Sequence, residues 1–336
     1  MSDQLSIFLI FIGLFCIELI YFRIAFAYRI IDIPNQRSSH NKFTIRGGGI
    51  IFPIAVLVWW VLGGFQNPWF VAGLFTVSAV SFIDDINHLQ SKIRFFAHTL
   101  SIGLIVFQVP VEMDWYFYFL ILLLAIAAID AWNFMDGING ITGGYSLVTV
   151  GTLYYINEHL YSFADSRLLM VVMLSLLVFN FFNFRKSARC FAGDVGSVSI
   201  AFIICFFLIR LIAESGNLLF LALILFYGLD TITTIFFRLI RREDIFKAHR
   251  SHFYQFLVNE QKLPHLAVAS FYSAIQFMIN LVVVSQFNSA LDISRSAIEL
   301  VLLFLVSLAV FLISRFTLEG YAKLVGGVEQ PTARRQ

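Results

Sequence analysis

The chain has 336 residues, of which 59% are hydrophobic and 13% charged, and its mean hydropathy is +0.83. Soluble domains carry roughly 25% charged residues, so a chain this apolar cannot cover itself with polar surface and is expected to fold in lipid. The net charge of +2 excludes a strongly basic nucleic-acid-binding protein. The three cysteines have no ligand-like spacing, so they indicate neither a zinc site nor a disulfide framework.

Long hydrophobic stretches predict an all-α fold, a polytopic membrane helix bundle of about 10 or 11 transmembrane helices, because a helix needs roughly 20 apolar residues to cross the hydrocarbon layer. The predicted spans are 5–27, 48–64, 69–83, 93–110, 115–132, 140–157, 167–183, 197–213, 217–238, 266–287 and 296–315. We expect a single integral membrane domain over residues 1–320, followed by a short cytoplasmic tail over residues 321–336.

The distribution of basic residues predicts the orientation, since Lys and Arg near span ends prefer the cytoplasm. With the N-terminus placed outside, every basic residue except Arg167, Arg210 and Arg295 falls in an inner segment. The first span has no basic residue before it but has Arg23 and Arg29 after it, the opposite of a cleavable signal peptide. We therefore expect a retained first helix, a periplasmic N-terminus and a cytoplasmic C-terminus.

Polar residues gather in the inner segments, first between spans one and two, where residues 37–40 read RSSH and residues 46–49 read RGGG. Glycines ahead of an apolar span let backbone N–H groups approach an anion at a helix N-terminus. The same glycines could serve only a tight entry into the second span. The residues alone leave both interpretations open.

Two adjacent carboxylates, Asp84 and Asp85, lie at the inner end of the third predicted span. Placing such a pair at the end of a hydrophobic helix is costly, and like charges this close repel unless a cation relieves them. Mg²⁺ is a natural partner because it is a hard ion that prefers oxygen ligands. The alternative is a solvated pair of loop acids.

The segment at the end of the fifth span reads NFMDGING over residues 133–140. On a helix, Asn133, Asp136 and Asn139 would follow one another at intervals of three residues and share one face. That face would carry only carboxylate and amide groups in an otherwise apolar segment. Capping or interhelical hydrogen bonding could explain one such residue, but three in register favour a functional site.

Residues 191–197, which read FAGDVGS, open the eighth span. Asp194 is expected near a helix N-terminus, where a carboxylate is favoured electrostatically. One interpretation is therefore that Asp194 is an N-cap. The other is that the flanking Gly193 and Gly196 let a ligand reach the carboxylate.

A longer inner loop contains HRSH at residues 249–252. His249 and His252 are three residues apart and could bind zinc, but no third ligand lies nearby in the sequence. Contact of these histidines and Arg250 with an anion is the favoured interpretation.

These stretches together resemble the polyprenyl-phosphate N-acetylhexosamine-1-phosphate transferase family, glycosyltransferase family 4. The matching segments, in the family's order over roughly residues 1–260, are RSSH…RGGG (37–49), the Asp84–Asp85 pair, NFMDGING (133–140), FAGDVGS (191–197) and HRSH (249–252). The resemblance implies transfer of an amino-sugar-1-phosphate from a UDP-sugar to undecaprenyl phosphate, with release of UMP and with Mg²⁺, or alternatively Mn²⁺, as cofactor. It also implies a multi-pass protein of the bacterial inner (plasma) membrane with a cytoplasmic active site, and it leaves a homodimer open.

The resemblance assigns a role to each matching residue. Asn133 and Asp194 correspond to metal-binding positions, and Asp84 corresponds to an acid that activates the nucleophile, with Asp85 and Asp136 as further catalytic candidates. Phe191 would stack on uracil. The other residues expected at the nucleotide-sugar are Asn139, Asn183, His249, Arg250 and His252. The candidates for binding the lipid phosphate are Lys42, Arg46, Lys92 and Arg94.

Departures from the family pattern bear on the substrate. Members that use the muramyl-pentapeptide nucleotide typically have three consecutive histidines where this chain has HRSH, which favours the branch that initiates O-antigen or other surface polysaccharides. The muramyl-pentapeptide branch remains the alternative. A transporter, a different class of protein, would place coupling charges near the bilayer midplane. The candidates for such charges are Glu18, Arg210 and Asp230.

Overall fold

The structure, a computed structural model, describes residues 3–32, 44–109, 114–245, 247, 249–287 and 293–326. These residues form a helical bundle with one two-stranded sheet. In chain order the elements are α1 (Asp3–Ala27), β1 (Ile31–Asp32), β2 (Thr44–Ile45), a 3₁₀ turn (Gly48–Ile50), α2 (Ile51–Leu62), α3 (Pro68–Ile86), α4 (Ser91–Gln108), α5 (Trp115–Met135), α6 (Ile141–His159), α7 (Ser166–Asn183), α8 (Gly193–Ser215), a second 3₁₀ segment (Leu218–Ile224), α9 (Leu225–Ile240), α10 (Phe253–Asn259), α11 (His265–Ser285), α12 (Ile293–Glu319) and α13 (Tyr321–Val325).

Each of the eleven predicted spans coincides with a helix, which confirms the all-α membrane bundle. Within the described ranges, eight helical segments are long and apolar enough to cross a membrane: α1, α3, α5, α7, α8, the segment 218–240, α11 and α12. The helices at the other three predicted spans do not meet both conditions, for two reasons. The helix α2 has only 12 residues, whereas α4 and α6 are long enough but less apolar. The side of the membrane that each terminus faces stays a prediction.

The helix α8 lies at the centre of the bundle and is buried on nearly every side, packing against α3 and α5. Its first turn is crossed closely by the start of the second predicted span. A side chain on Gly49 would overlap the backbone of Gly196, so both positions need glycine for this approach. The crossing brings the RGGG segment onto the N-terminus of α8.

Short backbone pairings connect the same two segments. The strands β1 and β2 are antiparallel, with Ile31 opposite Ile45. Ile45 in turn forms a parallel bridge with Cys190, just before the FAGDVGS segment. Residues about 145 positions apart in the chain are therefore joined at one end of the bundle.

The segment predicted as a tail begins with a short helix. Residues 321–325 form α13, whose Leu324 is 1% exposed and packs beside α9 and α12. The first part of this segment is therefore attached to the bundle. The remainder, residues 327–336, lies outside the described residues.

Candidate active site

Charged residues from four parts of the chain meet at one end of the bundle. Asp84 and Asp85 lie on the last turn of α3, Arg94 lies near the start of α4, and Asp194 lies on the first turn of α8. Arg46 joins them from the segment between β2 and the first 3₁₀ turn. The sequence grouped three of these residues as acids for one site, and the structure brings them together.

The carboxylate of Asp85 binds the N-terminus of α8. It accepts hydrogen bonds from the backbone N–H of Asp194 (2.9 Å) and of Val195 (3.0 Å), and it pairs with Arg46 Nε at 2.7 Å. The side chain is fully buried. Unpaired N–H groups and the helix dipole make a helix N-terminus favourable for an anion. Asp85 therefore supplies from α3 the cap that the sequence suggested for Asp194.

Asp84 and Asp194 share the guanidinium of Arg94. Arg94 Nη1 lies 3.2 Å from Asp84 Oδ2 and 3.7 Å from Asp194 Oδ2. The other oxygen of Asp84 accepts a hydrogen bond from the backbone N–H of Leu89 at 2.6 Å, and Asp194 Oδ1 lies 3.5 Å from Arg46 Nη2. The Asp194 side chain is 20% exposed, against 6% for Asp84 and none for Asp85. Asp194 is thus the carboxylate most accessible to a ligand.

Asn133 on α5 is linked to the first turn of α8 through Ser197. The Ser197 hydroxyl donates to Asn133 Oδ1 at 2.9 Å and also lies 3.1 Å from the carbonyl oxygen of Gly193. The two predicted metal-binding residues, Asn133 and Asp194, are therefore on adjoining helix ends. Ser197 is a contact that the sequence did not single out.

The donor set at these helix ends consists of carboxylate and amide oxygens. Among the described residues, no three His, Cys, Asp or Glu side chains form a cluster that could hold a metal. Mg²⁺ commonly binds through one or two protein carboxylates, with waters and substrate phosphates completing its shell. The oxygens of Asn133 and Asp194 fit that partial kind of site.

The predicted common face of Asn133, Asp136 and Asn139 is wrong. The helix α5 ends at Met135, Asp136 is its C-cap, and Asn139 lies in the turn before α6. The Asn139 amide is buried and donates to the backbone carbonyl of Arg185 at 2.9 Å. The helical register is broken at the turn that contains Gly137. A side chain at this position would overlap Tyr254, so the turn needs glycine here.

Asp136 is half-buried and accepts a hydrogen bond from Thr142 Oγ1 at 2.7 Å. Burial raises the pKa of this carboxyl to about 6, and the nearby charges of Asp85 and Arg46 act on it in opposite directions. A carboxyl with this raised pKa can exchange a proton near neutral pH.

Asn183 connects two backbone segments of the site. Its Oδ1 accepts from the backbone N–H of Gly140 at 2.7 Å, and its Nδ2 donates to the carbonyl oxygen of Cys190 at 2.8 Å. The residue is 4% exposed. This geometry supports a role in holding the NFMDGING and FAGDVGS segments together, and direct nucleotide contact by Asn183 stays a prediction.

Two of the three glycines of RGGG use their N–H groups in bonds to the protein backbone and so do not offer them to an anion. Gly48 N donates to the carbonyl of Phe191 at 2.8 Å, and Gly49 N donates to that of Ala192 at 3.1 Å. Gly47 has a φ of 78°, a conformation that favours glycine, and lies against Tyr21. The tight-entry interpretation is the one that the structure supports.

The HRSH segment is held by Asp230, which lies inside α9. The carboxylate accepts from the backbone N–H of Phe253 (2.9 Å) and the hydroxyl of Tyr272 (2.7 Å), and lies 3.3 Å from His252 Nδ1. The transporter interpretation treated Asp230 as a coupling charge, but in this structure it anchors a loop. A charged residue inside an apolar span was the signal for a functional or anchoring role.

The rings of His249 and His252 lie beside the end of α5. Their centroids are 5.0 Å apart, and that of His252 is 6.1 Å from the Phe134 ring. Burial lowers the pKa of His249 to about 4, and the neighbouring His252 adds to the effect, so His249 is neutral at neutral pH. Arg250 is exposed on the same segment.

The remaining predicted contacts lie at the edge of the site or outside the described residues. Phe191 is half-buried at the start of the FAGDVGS segment, and Lys92 is exposed on the first turn of α4. Lys42 and the RSSH stretch fall outside the described residues. Arg94, by contrast, is central because it touches both Asp84 and Asp194.

Comparison with known proteins finds similarity over the segments that supply several of these residues. Residues 68–212 match the model of the family described as glycosyl transferase family 4, a range that includes Asp84, Asp85, Asn133 and Asp194. A probable undecaprenyl-phosphate N-acetylglucosaminyl 1-phosphate transferase of Bacillus subtilis (strain 168) is 26% identical over 257 residues, 70% of this chain and 72% of that protein.

Two further relatives carry related names. An undecaprenyl-phosphate alpha-N-acetylglucosaminyl 1-phosphate transferase of Yersinia pestis is 28% identical over 62% of this chain and 63% of its own length. A phospho-N-acetylmuramoyl-pentapeptide-transferase of Thermotoga neapolitana is 25% identical over 72% of this chain and 85% of its own length. Residues 68–212, less than half of the chain, are thus similar to glycosyl transferase family 4, and this range supplies Asp84, Asp85, Asn133 and Asp194 to one end of the bundle.

Proposed function

We propose that the protein transfers an N-acetylhexosamine-1-phosphate, or a related amino-sugar-1-phosphate, from a UDP-sugar to undecaprenyl phosphate and releases UMP. The observation that carries the proposal is the meeting of Asp84, Asp194, Arg46 and Arg94 at one end of a membrane bundle. A reaction between two phosphate-bearing substrates needs both cations and oxygen ligands at one place. The site would lie on the cytoplasmic face of a bacterial inner membrane.

The names of the relatives support this substrate class. The Bacillus and Yersinia proteins are named for transfer of N-acetylglucosaminyl 1-phosphate with undecaprenyl phosphate, and the Thermotoga protein for phospho-N-acetylmuramoyl-pentapeptide. This chain has HRSH at residues 249–252. By the family resemblance, members that use the muramyl-pentapeptide nucleotide typically have three consecutive histidines at this place. We therefore favour initiation of O-antigen or another surface polysaccharide over peptidoglycan synthesis.

Asn133 and Asp194 would hold a Mg²⁺ ion, with Mn²⁺ as an alternative. When bound, the ion would neutralise the diphosphate and stabilise the UMP leaving group. The partial oxygen set of these two residues supports the assignment, since Mg²⁺ takes much of its shell from substrate phosphates and water.

The chain's own residues account for the other requirements. Arg46 and Arg94 supply positive charge where two anionic substrates must approach. A phosphate oxygen of undecaprenyl phosphate would attack the β-phosphorus of the UDP-sugar, and the bond to the bridging oxygen of UMP would break. Asp84, held by Leu89 N and Arg94, would orient the lipid phosphate or accept its last proton. Attack by an aspartate through a covalent intermediate is the alternative route.

The test is release of UMP by the purified protein supplied with undecaprenyl phosphate, MgCl₂ and a panel of UDP-sugars. The panel would include UDP-N-acetylglucosamine, UDP-N-acetylgalactosamine, a UDP-6-deoxy amino sugar and UDP-N-acetylmuramoyl-pentapeptide. Asp194→Asn and Asp84→Asn should each lower turnover by at least about 100-fold, the scale of losing a positioned acid–base or charge-stabilising group. Chelation by EDTA should stop the reaction, and MgCl₂ should restore it.

Asp114→Asn is the matched control, because Asp114 lies at the opposite end of α5 from Asn133 and accepts a hydrogen bond from the hydroxyl of the nearby Tyr116. It should retain turnover. If Asp194→Asn and Asp84→Asn both keep near-normal rates, the assignment is wrong. Preference for the muramyl-pentapeptide nucleotide would instead support the alternative branch.

A further inference from the structure

The helix α12 buries an arginine that the proposed reaction does not use. Along its 27 residues only Ser296, Phe311 and Arg315 are buried, and Arg315 is 1% exposed. Removing a guanidinium from water is costly unless its donors are satisfied. Arg315 also lies beyond the region that carries the family motifs, so its burial calls for a local explanation.

Arg315 makes four hydrogen bonds to three elements. Its Nη1 donates to the hydroxyls of Thr233 (3.1 Å) and Thr234 (3.0 Å) on α9, and its Nη2 donates to the carbonyl oxygen of Ser251 at 3.0 Å. Its Nε pairs with Glu319 Oε1 at 2.5 Å. The carboxylate of Glu319 offsets the buried charge, while the Ser251 contact reaches into the HRSH segment.

The segment from Ser251 to Tyr254 is therefore held from two sides. Arg315 holds the carbonyl that precedes His252, whereas Asp230 accepts from the backbone N–H groups that follow it. Thr234 joins the two, since its hydroxyl donates to Asp230 Oδ1 at 3.1 Å and accepts from Arg315. Carbonyl and amide groups of one turn are thus fixed by opposite charges.

This arrangement leaves one ring nitrogen of His252 without a hydrogen-bond partner among the described residues. Nδ1 faces Asp230, but Nε2 is buried and has no hydrogen-bond partner within the part of the chain that the structure describes. An unpaired buried polar atom is costly, and such groups often mark ligand contacts. The ring lies beside Phe134, the residue next to Asn133.

We infer that Arg315 is a positioning residue, which holds the Ser251 carbonyl so that His252 Nε2 contacts the sugar or diphosphate of the UDP-sugar. The inference rests on the proposed function for the identity of the ligand. The nucleotide-sugar, rather than the lipid, is the substrate that Arg315 should affect, because the segment from Ser251 to Tyr254 lies beside Phe134, next to the proposed metal-binding residue Asn133.

The test compares Arg315→Met with Arg295→Met. Both changes remove an arginine from α12 that pairs with a glutamate four residues on, but Arg295 lies at the other end of the helix and is 69% exposed. Arg315→Met should raise the KM for the UDP-sugar at least about tenfold, the factor that a lost charged hydrogen bond of about 1.4 kcal/mol gives. The KM for undecaprenyl phosphate should change less than about twofold. Arg315→Lys should give an intermediate KM, since it keeps the charge but not the planar fork.

Hydrogen exchange gives a readout that does not need turnover. The amides of Phe253 and Tyr254 should exchange faster in Arg315→Met than in the wild type, with no change in Arg295→Met. The inference would be overturned by any of three results. These are an equal rise in the KM for the UDP-sugar and for undecaprenyl phosphate, equal effects of Arg315→Met and Arg295→Met, or unchanged hydrogen exchange at Phe253 and Tyr254 in Arg315→Met. If Arg315→Met does not fold, Arg315→Lys is judged by the same criteria. A wild type that releases no UMP would refute the proposed function, and the exchange comparison would still decide whether Arg315 holds the segment.

Discussion

The carboxylate of Asp85 on α3 accepts a hydrogen bond from the backbone N–H of Asp194 on α8 at 2.9 Å. The two acids are 109 residues apart in the chain. Their hydrogen bond joins the last turn of α3 to the first turn of α8. One carboxylate is fully buried and bonded on both oxygens, whereas the other is partly exposed. The two carboxylates therefore differ in environment: Asp85 caps α8 from within the bundle, whereas Asp194 is left partly exposed.

This difference in environment predicts different effects of the two substitutions on stability. Asp85→Ala should lower the free energy of unfolding by about 2–4 kcal/mol, because it removes a helix cap and leaves Arg46 without its buried partner. Asp194→Ala should leave stability unchanged or raise it, since it relieves repulsion among three nearby carboxylates. Thermal unfolding in detergent measures both changes. Equal destabilisation by the two variants would contradict the predicted difference.

Substitutions of Gly193 and Gly216, which lie at the two ends of α8, are predicted to differ in their effect on stability and turnover. Gly193 has a φ of 69°, and a side-chain carbon there would lie 2.6 Å from Asp85 Oδ2 and 2.9 Å from Gly47 Cα. Gly216 has a φ of 68° at the other end of α8, but a side-chain carbon there would meet nothing within 4 Å.

Gly216→Ala should therefore cost only the backbone strain of about 1–2 kcal/mol. Gly193→Ala should cost more and also abolish UMP release, because the first turn of α8 must move away from Asp85. Thermal unfolding and the UMP assay test this together. Similar losses in the two variants would show that contact with Asp85 does not matter.

Phe191 is predicted to stack on the uracil base. Phe191→Ala should weaken UMP binding by roughly tenfold, given that base–aromatic stacking contributes about 1–3 kcal/mol. The KM for undecaprenyl phosphate should stay nearly constant. Phe181→Ala, which changes a 52% exposed phenylalanine on α7, is the control. Equal losses for nucleotide and lipid in Phe191→Ala would remove the stacking role.

The raised pKa of Asp136 predicts that the stability of the protein depends on pH. Its pKa is raised to about 6 by burial, whereas the unfolded chain titrates near 3.8. The folded protein therefore binds more protons between about pH 4 and pH 6, so this group's contribution to stability is lost as the pH rises through that window. The melting temperature of the wild type, compared with that of Asp136→Asn, should fall across the same range. A constant difference would indicate an unshifted carboxyl.

The sequence was sufficient for the helical class and for the positions of the helices, because hydropathy and the length of an apolar stretch are properties of consecutive residues, although only eight of the eleven predicted spans are long and apolar enough to cross a membrane. It also indicated which segments carry chemistry, since polar groups beside apolar spans are costly and stand out. Asp84, Asp85 and Asp194 were grouped correctly for that reason. Their different environments were not visible in the pattern.

Other assignments failed where a turn or a distant contact intervened. Periodicity placed Asn139 on the face of Asn133, but α5 ends at Met135 and Asn139 bonds to the carbonyl of Arg185. The N–H groups of Gly48 and Gly49 likewise donate to carbonyls of the FAGDVGS segment. Each of these outcomes depends on which helix end lies beside another.

Membrane insertion and helix positions followed from local composition, whereas the choice of partner for each buried polar group depended on packing. Arg315 shows the difference: its charge and place at a span end could be read from the chain, but its hold on Ser251 requires α9, α12 and the HRSH segment to meet. A buried donor or acceptor must find a partner wherever the packed helices provide one. That partner can be any number of residues away, so no sequence interval encodes it.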